Sequence, residues 1–141
     1  MIENSKNEYP KPSLTVDVIV VHDNEVLLIK RLNDPFKDSW ALPGGYVDEG
    51  EDIIEAAARE LSEETNIKDL PLNQMGTYGK PGRDPRGWVV SVAYWSKLET
   101  KPAFKAGDDA KEAKWFPLAE LPNLAFDHKE ILNDFISKVI S

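Results

Sequence analysis

The chain has 141 residues, a mass of 15.9 kDa and a formal net charge of −8. Its length suits one domain, and its 41% of hydrophobic residues are enough for a folded core. The absence of cysteine excludes disulfides, thiolate metal sites and cysteine nucleophiles, and no apolar run is long enough to span a membrane. Because the first residues do not resemble a secretion signal and the charge is acidic, we expect a cytoplasmic protein that binds neither membranes nor nucleic acid.

Residues 1–12 are polar and contain two prolines, so we expect a flexible arm there and one domain over residues 13–141. Two runs of apolar and β-branched residues, 14–21 and 25–30, flank a turn sequence and predict a β-hairpin. Pro43-Gly44-Gly45 predicts a tight backbone turn. A helix is predicted over residues 51–65 and is expected to end at Asn66. Its apolar stripe comprises Ile53, Ile54, Ala57, Ala58 and Leu61.

The second half of the chain begins with a segment rich in proline and glycine, residues 71–87, which predicts a strand entering a long loop. A strong strand is expected over residues 88–98 and a short one over 112–116, separated by a polar loop over 101–111. After a turn or short helix over 118–124, the apolar spacing within 126–140 predicts a closing amphipathic helix. Strands and helices mix without strict alternation, which indicates a mixed sheet flanked by helices.

Three carboxylates lie close together on the first predicted helix. At about 100° per residue, Glu60, Glu63 and Glu64 fall within an arc of about 100° beside the apolar stripe. Like charges at this spacing repel one another. A divalent cation such as Mg²⁺ or Mn²⁺ would relieve the repulsion through oxygen ligands and would also contact a substrate phosphate. The alternative interpretation is a solvated acidic face that follows an ordinary glycine turn.

The spacing of the residues around this cluster resembles the Nudix box. The residues that match it, in order, are Gly45, Glu51, Arg59-Glu60-Leu61, Glu63-Glu64 and Ile67. The sequence departs from the pattern at Asn66, where the family has glycine. Asparagine tolerates the same left-handed backbone conformation at the end of a helix. The flanking hairpin, glycine turn and closing helix extend the resemblance over nearly the whole chain.

This resemblance implies an α+β fold, an α/β/α sandwich around a mixed β-sheet, and hydrolysis of nucleoside diphosphates linked to another group. The metal ligands that it implies are Glu60, Glu63 and Glu64, with a backbone carbonyl of Gly44 or Gly45. Arg59 and Glu51 would orient the helix and the loop before it. An acid from a later loop often assists catalysis in this family, and the candidates are Asp108, Asp109 and the preferred Glu112.

A second stretch is similar to the bacterial and archaeal ADP-ribose pyrophosphatase group of this family. It comprises residues 82–87 and the predicted strand over 88–94, and Ala125-Phe126-Asp127-His128 also fits the group. In that case Arg83 and Arg86 would contact phosphate through bidentate hydrogen bonds, and Asp84 would accept from ribose hydroxyls. The alternative is an ordinary Asp-Pro turn with solvated arginines. Further candidates for substrate contact are Arg31, Gly44 and Trp40, with a core or rim role as the alternative for Trp40.

The resemblance therefore implies a Mg²⁺- or Mn²⁺-dependent hydrolase that cleaves ADP-ribose to AMP and ribose 5-phosphate, with a small-molecule nucleotide as its partner. A first alternative keeps the chemistry but changes the substrate to a nucleoside triphosphate, a nucleotide sugar or a dinucleotide. A second is a non-catalytic domain that senses ADP-ribose, which we rank low because all three helix carboxylates are present. The apolar strand over 88–95 would serve either a homodimer interface or the core.

Overall fold

The computed structural model describes residues 8–102 and 110–140. In these ranges a single mixed sheet contains the strands β1 (Ser13–His22), β2 (Glu25–Arg31), β3 (Trp40–Ala41), β4 (Gly44–Tyr46), β5 (Asn73–Tyr78), β6 (Val89–Leu98) and β7 (Ala110–Pro117). The helices are α1 (Ile53–Thr65) and α2 (His128–Phe135), and α2 continues as a π-helical segment, Ile136–Ile140. Neither of the helices in these ranges has the length and apolar character needed to cross a bilayer.

Strand β1 lies at the centre of the sheet. It pairs in parallel with β6 along its whole length, whereas its antiparallel pairing with β2 is confined to the hairpin end, at Val21 and His22. Beyond that point β1 and β2 diverge; β3 pairs with β2, and β4 pairs with β1. The segment that joins β3 to β4 therefore fills the opening between the two strands of the hairpin. This position brings the glycine turn at Gly44 and Gly45 next to the middle of the sheet.

The sheet separates two helices, because side chains alternate between its faces along β1. Val16, Val18 and Val20 belong to the apolar cluster that includes Ala57 and Leu61 of α1. The side chains between them face the other way, and Ile19 and Val21 pack with Ile131, Leu132 and Phe135 of α2. The expected α/β/α sandwich and α+β class are confirmed. Asp17 is the one charged side chain on the α2 face of β1 in the described chain.

Helix α1 begins two residues later than predicted and turns a different face to the sheet. Asp52 caps it by accepting a hydrogen bond from the backbone N–H of Ile54 at 3.4 Å, and Asn66 ends it in the expected left-handed conformation, with φ 62°. The predicted apolar stripe is wrong at Ile54 and Ala58, which are exposed. The face that is buried instead includes Ala56, Glu60 and Glu64. The carboxylates of Glu60 and Glu64 are therefore part of the buried face of α1. They contact the backbone of the glycine turn there, rather than apolar side chains.

The closing helix is also shorter than predicted. Phe126 has φ 54°, a left-handed value that excludes it from an α-helix, and α2 begins at His128. Residues 118–124 contain a turn at 118–119 and no helix, and Leu124 forms an isolated β-bridge with Trp40. Strand β6 lies between β1 and β5, so both of its backbone edges are paired within the sheet. Trp88, just before the strand, is a large hydrophobic side chain that is exposed. Homodimerisation stays a prediction. The described residues do not include Asp108, Asp109 or the first part of the predicted arm.

Candidate active site

The glycine turn and α1 fit closely against each other. The backbone N–H of Gly44 donates a hydrogen bond to Oε1 of Glu64 at 3.0 Å. A Cβ on Gly45 would lie 2.5 Å from the carboxyl carbon of Glu60, so only glycine leaves room for this carboxylate. Glu60 and Glu64 retain only 8% and 6% of their exposure. The turn therefore gathers two acidic side chains in a place where burial of a charge requires polar partners.

Arg59 joins the carboxylates of α1 to the loop before the helix. Its Nε and Nη2 atoms donate to the two carboxylate oxygens of Glu51 at 2.8 and 3.0 Å. Its Nη1 donates to Glu60 and to Glu63, at 3.1 Å in each case, and Nη2 also reaches the carbonyl of Tyr46. The hydrogen bond with Glu51 raises the pKa of Arg59 above its usual value, and the same bond lowers the pKa of Glu51. This guanidinium thus fixes the loop and both ends of the acidic cluster.

The oxygen atoms around the glycine turn fit a hard divalent cation in part. Glu60 and Glu64 are buried carboxylates against the backbone of the glycine turn, and carboxylate oxygens are ligands that Mg²⁺ and Mn²⁺ prefer. The Glu63 side chain is 47% exposed and is held by Arg59. Within residues 8–102 and 110–140, no three acidic or histidine side chains are already gathered as a metal-binding group. The fit therefore rests on Glu60, Glu64 and the turn, and Glu63 would join them by exchanging its contact with Arg59.

A cavity opens on the glycine turn and contains about 420 Å³ of space, part of it continuous with solvent. Its walls come from β1, the end of β2, the β3–β4 segment with β4, the loop before β6 and the start of α2. The side chains and backbone that line it belong to Thr15, Asp17, Arg31, Leu42, Gly44, Gly45, Tyr46, Arg83, Asp84, Arg86, Phe126 and His128. Three arginines in one cavity make it a candidate site for a phosphate-containing ligand.

Two of these arginines already have carboxylate partners. Arg83 donates from Nε and Nη2 to the two carboxylate oxygens of Asp127, at 2.9 and 2.6 Å, and its side chain is only 4% exposed. Arg86 donates from the same two atoms to Asp84, at 3.0 and 2.8 Å. The bidentate edge expected to contact phosphate is therefore occupied in both residues. The reason is that this loop and the segment before α2 bring an acid to each guanidinium: Asp84 is buried and Asp127 is partly exposed.

Arg31 is different. Its Nε donates to the carbonyl of Pro35 at 2.7 Å, and its guanidinium lies over the ring of Phe126, 5.0 Å from the centroid. In the described part of the chain it forms no ion pair with a carboxylate. Burial and the charge of Arg86 lower its pKa, while the charge of Glu64 acts in the opposite direction. Arg31 is therefore a partly buried cation near the acidic cluster, and it is suited to bind an anion.

Seven predicted site residues in the described part of the chain do not line the cavity. Five of them belong to α1 and the loop before it: Glu51, Arg59, Glu60, Glu63 and Glu64. The other two, Trp40 and Glu112, lie apart from that group. Trp40 packs its ring against Phe116, with the ring centroids 4.7 Å apart, and belongs to the apolar cluster beneath α2. Glu112 lies on β7 opposite Lys30, where its side chain is 56% exposed and 4.0 Å from the ammonium group. The substrate contact predicted for Trp40 and the catalytic contact preferred for Glu112 find no support in these positions, because the sheet directs both side chains to other neighbours.

Some cavity residues carry no motif in the sequence. Thr15 and Asp17 come from the middle of an apolar strand, and Tyr46 directly follows the glycine turn. Asp17 did have a signal, since it is a carboxylate within an otherwise apolar and β-branched run. A buried charge in such a run requires partners, which here are His128 and Ser91.

The family model for the NUDIX domain matches residues 11–135 of the chain. An ADP-ribose pyrophosphatase of Methanocaldococcus jannaschii is 48% identical over 128 residues, which cover 91% of this chain and 75% of that protein. The ADPR responsive transcriptional repressor NtrR of Acinetobacter baylyi is 33% identical; 99% of this chain is covered, but only 59% of the repressor. The solved structure of the NUDIX domain of Shewanella oneidensis NrtR complexed with ADP ribose has a TM-score of 0.85 at 32% identity, covering 97% of this chain and 94% of that one.

The chain therefore belongs to the Nudix family, and the predicted family and its hydrolase class are confirmed. Hydrolases of this family generally use divalent metal ions. This use agrees with the oxygen-rich surroundings of Glu60, Glu64 and the glycine turn.

Proposed function

We propose that this protein is a pyrophosphohydrolase that uses Mg²⁺ or Mn²⁺ to cleave ADP-ribose to AMP and ribose 5-phosphate. The observation that carries the proposal is the cavity lined by both Arg31 and the glycine turn. The opposite side of the turn contacts the buried carboxylates of Glu60 and Glu64. Such a cavity suits a diphosphate, with a cation site at one end and a guanidinium at the other. The identity of 48% with an ADP-ribose pyrophosphatase supports the choice of substrate.

In this proposal each group has one task. Glu60, Glu63, Glu64 and a carbonyl of Gly44 or Gly45 hold the divalent cation, and Arg59 with Glu51 orients them. When bound, the cation supplies a Lewis acid that activates water and neutralises charge on phosphoryl oxygens. Arg31 binds the diphosphate, and Arg83 and Asp127 anchor the loop that covers it.

The reaction itself consumes one water molecule. The water oxygen forms a bond to one phosphorus and the water gives up a proton to solvent. The bond between that phosphorus and the bridging oxygen breaks, and the bridging oxygen leaves with the other phosphate. The guanidinium of Arg31 stabilises the negative charge that develops on the diphosphate oxygens. Asp84, which is buried beside Arg86, offers a carboxylate to ribose hydroxyls at the wall of the cavity.

Two other functions use the same cavity. A different nucleotide, such as a nucleoside triphosphate, a nucleotide sugar or a dinucleotide, would retain the cation site and change the contacts of the organic group. A sensor that binds ADP-ribose without cleaving it is suggested by the likeness to a transcriptional repressor. Hydrolysis is favoured because the carboxylates of the box are all present and two of them are buried at the turn.

We further propose that the protein is cytoplasmic and that its ligand is a free nucleotide rather than nucleic acid. The net charge of −8 supports the second point, since a nucleic acid backbone is usually met by a basic surface.

The test is a substrate panel, with phosphate measured after treatment of the products with phosphatase. ADP-ribose, nucleoside triphosphates, nucleotide sugars and dinucleotides are compared with Mg²⁺ and with Mn²⁺. We expect the highest kcat/KM for ADP-ribose, with AMP and ribose 5-phosphate as products by chromatography. A preference for triphosphates would reject the substrate, and saturable ADP-ribose binding without turnover would favour the sensor.

A further inference from the structure

A chain of buried hydrogen bonds reaches the glycine turn from the side opposite α1. The hydroxyl of Ser91, on β6, donates to Oδ2 of Asp17, on β1, at 2.5 Å. Oδ1 of Asp17 lies 3.2 Å from Nε2 of His128, the first residue of α2. Nδ1 of His128 in turn lies 3.0 Å from the backbone nitrogen of Leu42. All four residues are buried, so competition from bulk water for these contacts is weak.

The partners of the two ring nitrogens determine which tautomer the His128 imidazole adopts. The backbone N–H of Leu42 is a donor, so Nδ1 of His128 must accept and carries no proton. Asp17 accepts on both oxygens, so Nε2 of His128 must carry the proton. Burial alone would raise the pKa of Asp17, but its contact with His128, the hydrogen bond from Ser91 and the charge of Arg83 together lower it. A carboxylate therefore holds the neutral ring in the tautomer that Leu42 requires.

Leu42 directly precedes the turn. The next residue, Pro43, accepts a hydrogen bond from the backbone N–H of Val18 at 2.8 Å, and the residue after it, Gly44, donates to Glu64. The segment from Leu42 to Gly45 is thus held by His128 and β1 on one side and meets Glu60 and Glu64 on the other. A shift at Leu42 would be passed directly to the backbone of Gly44 and Gly45, which contacts Glu64 and Glu60.

We propose that His128 is a positioning residue that, with its tautomer set by Asp17, holds Leu42 and thereby aligns the Gly44–Gly45 turn with the cation-binding carboxylates. This inference rests on the proposed function, because it concerns the same cation site. It assigns no contact with the substrate to His128. It also explains why α2, which lies across the sheet from α1, begins at a buried histidine.

Two substitutions separate the contacts that His128 makes. In His128→Asn the amide oxygen lies near the position of Nδ1 and can accept from Leu42, while the contact with Asp17 is lost. In His128→Gln the longer amide reaches toward Asp17 and the contact with Leu42 is lost. Each variant leaves one buried partner of His128 without its hydrogen bond, so we expect the two variants to lose similar free energies of unfolding. Ser91→Ala is the control, because it removes a hydrogen bond from Asp17 without changing the histidine.

The readouts are the dissociation constant for Mn²⁺, measured by titration without substrate, and hydrogen exchange of the Leu42 amide. Since loss of an outer partner of a metal site costs about 10–100-fold in affinity or activity, we expect His128→Gln to weaken Mn²⁺ binding by about tenfold or more. Its Leu42 amide should exchange faster. His128→Asn and Ser91→Ala should stay within about threefold of the native Mn²⁺ affinity, a difference of at most about 0.7 kcal/mol.

Equal Mn²⁺ affinities in His128→Asn and His128→Gln would overturn the inference, and so would losses that follow the measured stability of the variants rather than the contact with Leu42. If His128→Gln does not fold, His128→Asn decides alone, since a tenfold loss of Mn²⁺ affinity in that variant contradicts the proposal. Failure of the proposed function is distinguishable: it would appear as absent hydrolysis in the native protein, while the ranking of Mn²⁺ affinities among the variants would remain.

Discussion

The carboxylate of Glu60 lies against the backbone of Gly45, so closely that a Cβ on the glycine would come within 2.5 Å of the carboxyl carbon. This contact joins the turn between the diverging strands of the hairpin to the middle of α1. It explains in physical terms why a glycine stands at the start of the acidic motif. The same contact provides a way to disturb the carboxylate without changing it.

Replacing Gly45 with alanine should displace the Glu60 side chain rather than unfold the protein, because the atoms in the way are the end of a flexible side chain. Since misplacement of a reacting group by about 1 Å can cost about 100-fold, we expect kcat to fall between about tenfold and 100-fold in Gly45→Ala. The matched control is Gly76→Ala, because the nearest atom to a Cβ there is 3.8 Å away. Equal activity of the two variants, measured with ADP-ribose, would show that the close approach at Gly45 is unimportant.

Arg31 is expected to contribute most to binding of the diphosphate, because its guanidinium has no carboxylate partner in the described chain. Arg31→Ala should raise KM for ADP-ribose by about tenfold or more, as expected for loss of a charge-assisted hydrogen bond. Steady-state kinetics test this, with Lys37→Ala as the control because Lys37 is an exposed cation in the loop that follows β2. If Arg31→Ala left KM unchanged while Arg86→Ala raised it, the assignment of the phosphate contact would pass to Arg86.

The pair formed by Arg83 and Asp127 is expected to support the loop rather than to bind substrate. Breaking a buried ion pair from one side typically costs about 3–5 kcal/mol, and we expect Asp127→Asn to lower the free energy of unfolding by somewhat less, about 2–4 kcal/mol, because Asp127 is partly exposed. Urea unfolding measures the change, and Asp69→Asn, at an exposed position, serves as the control. A large rise in KM with unchanged stability would instead make Arg83 a ligand of the phosphate.

The sequence was sufficient for those parts of the site that lie close together along the chain. Spacing on one helix predicted that Glu60, Glu63 and Glu64 would lie together; Glu60 and Glu64 share the buried face, whereas the Glu63 side chain is exposed and contacts Arg59. The left-handed backbone of Asn66 was expected from its residue type. The apolar stripe was misjudged at Ile54 and Ala58, because the rule that apolar side chains face the core does not foresee a buried carboxylate that meets a glycine turn.

Contacts between distant segments were the part that could not be predicted. Arg83 and Asp127 are 44 positions apart, and nothing in the residue types indicates that this acid, and not a phosphate, would bind the guanidinium. The network from Ser91 through Asp17 to His128 joins two strands and a helix in the same way. The position of Trp40 within the apolar cluster beneath α2 likewise depends on the pairing of β3 with β2, which no local pattern specifies.

The most direct test of the account is the turnover of ADP-ribose by Glu64→Gln and Glu63→Gln in saturating Mg²⁺. The control is Glu55→Gln, an exposed residue of the same helix. Because a glutamine supplies a neutral oxygen in place of a charged ligand, we expect kcat to fall by at least about 100-fold in both variants, with circular dichroism unchanged and the control close to native. Turnover near the native value in both Glu63→Gln and Glu64→Gln would contradict the assignment of these carboxylates to the reaction.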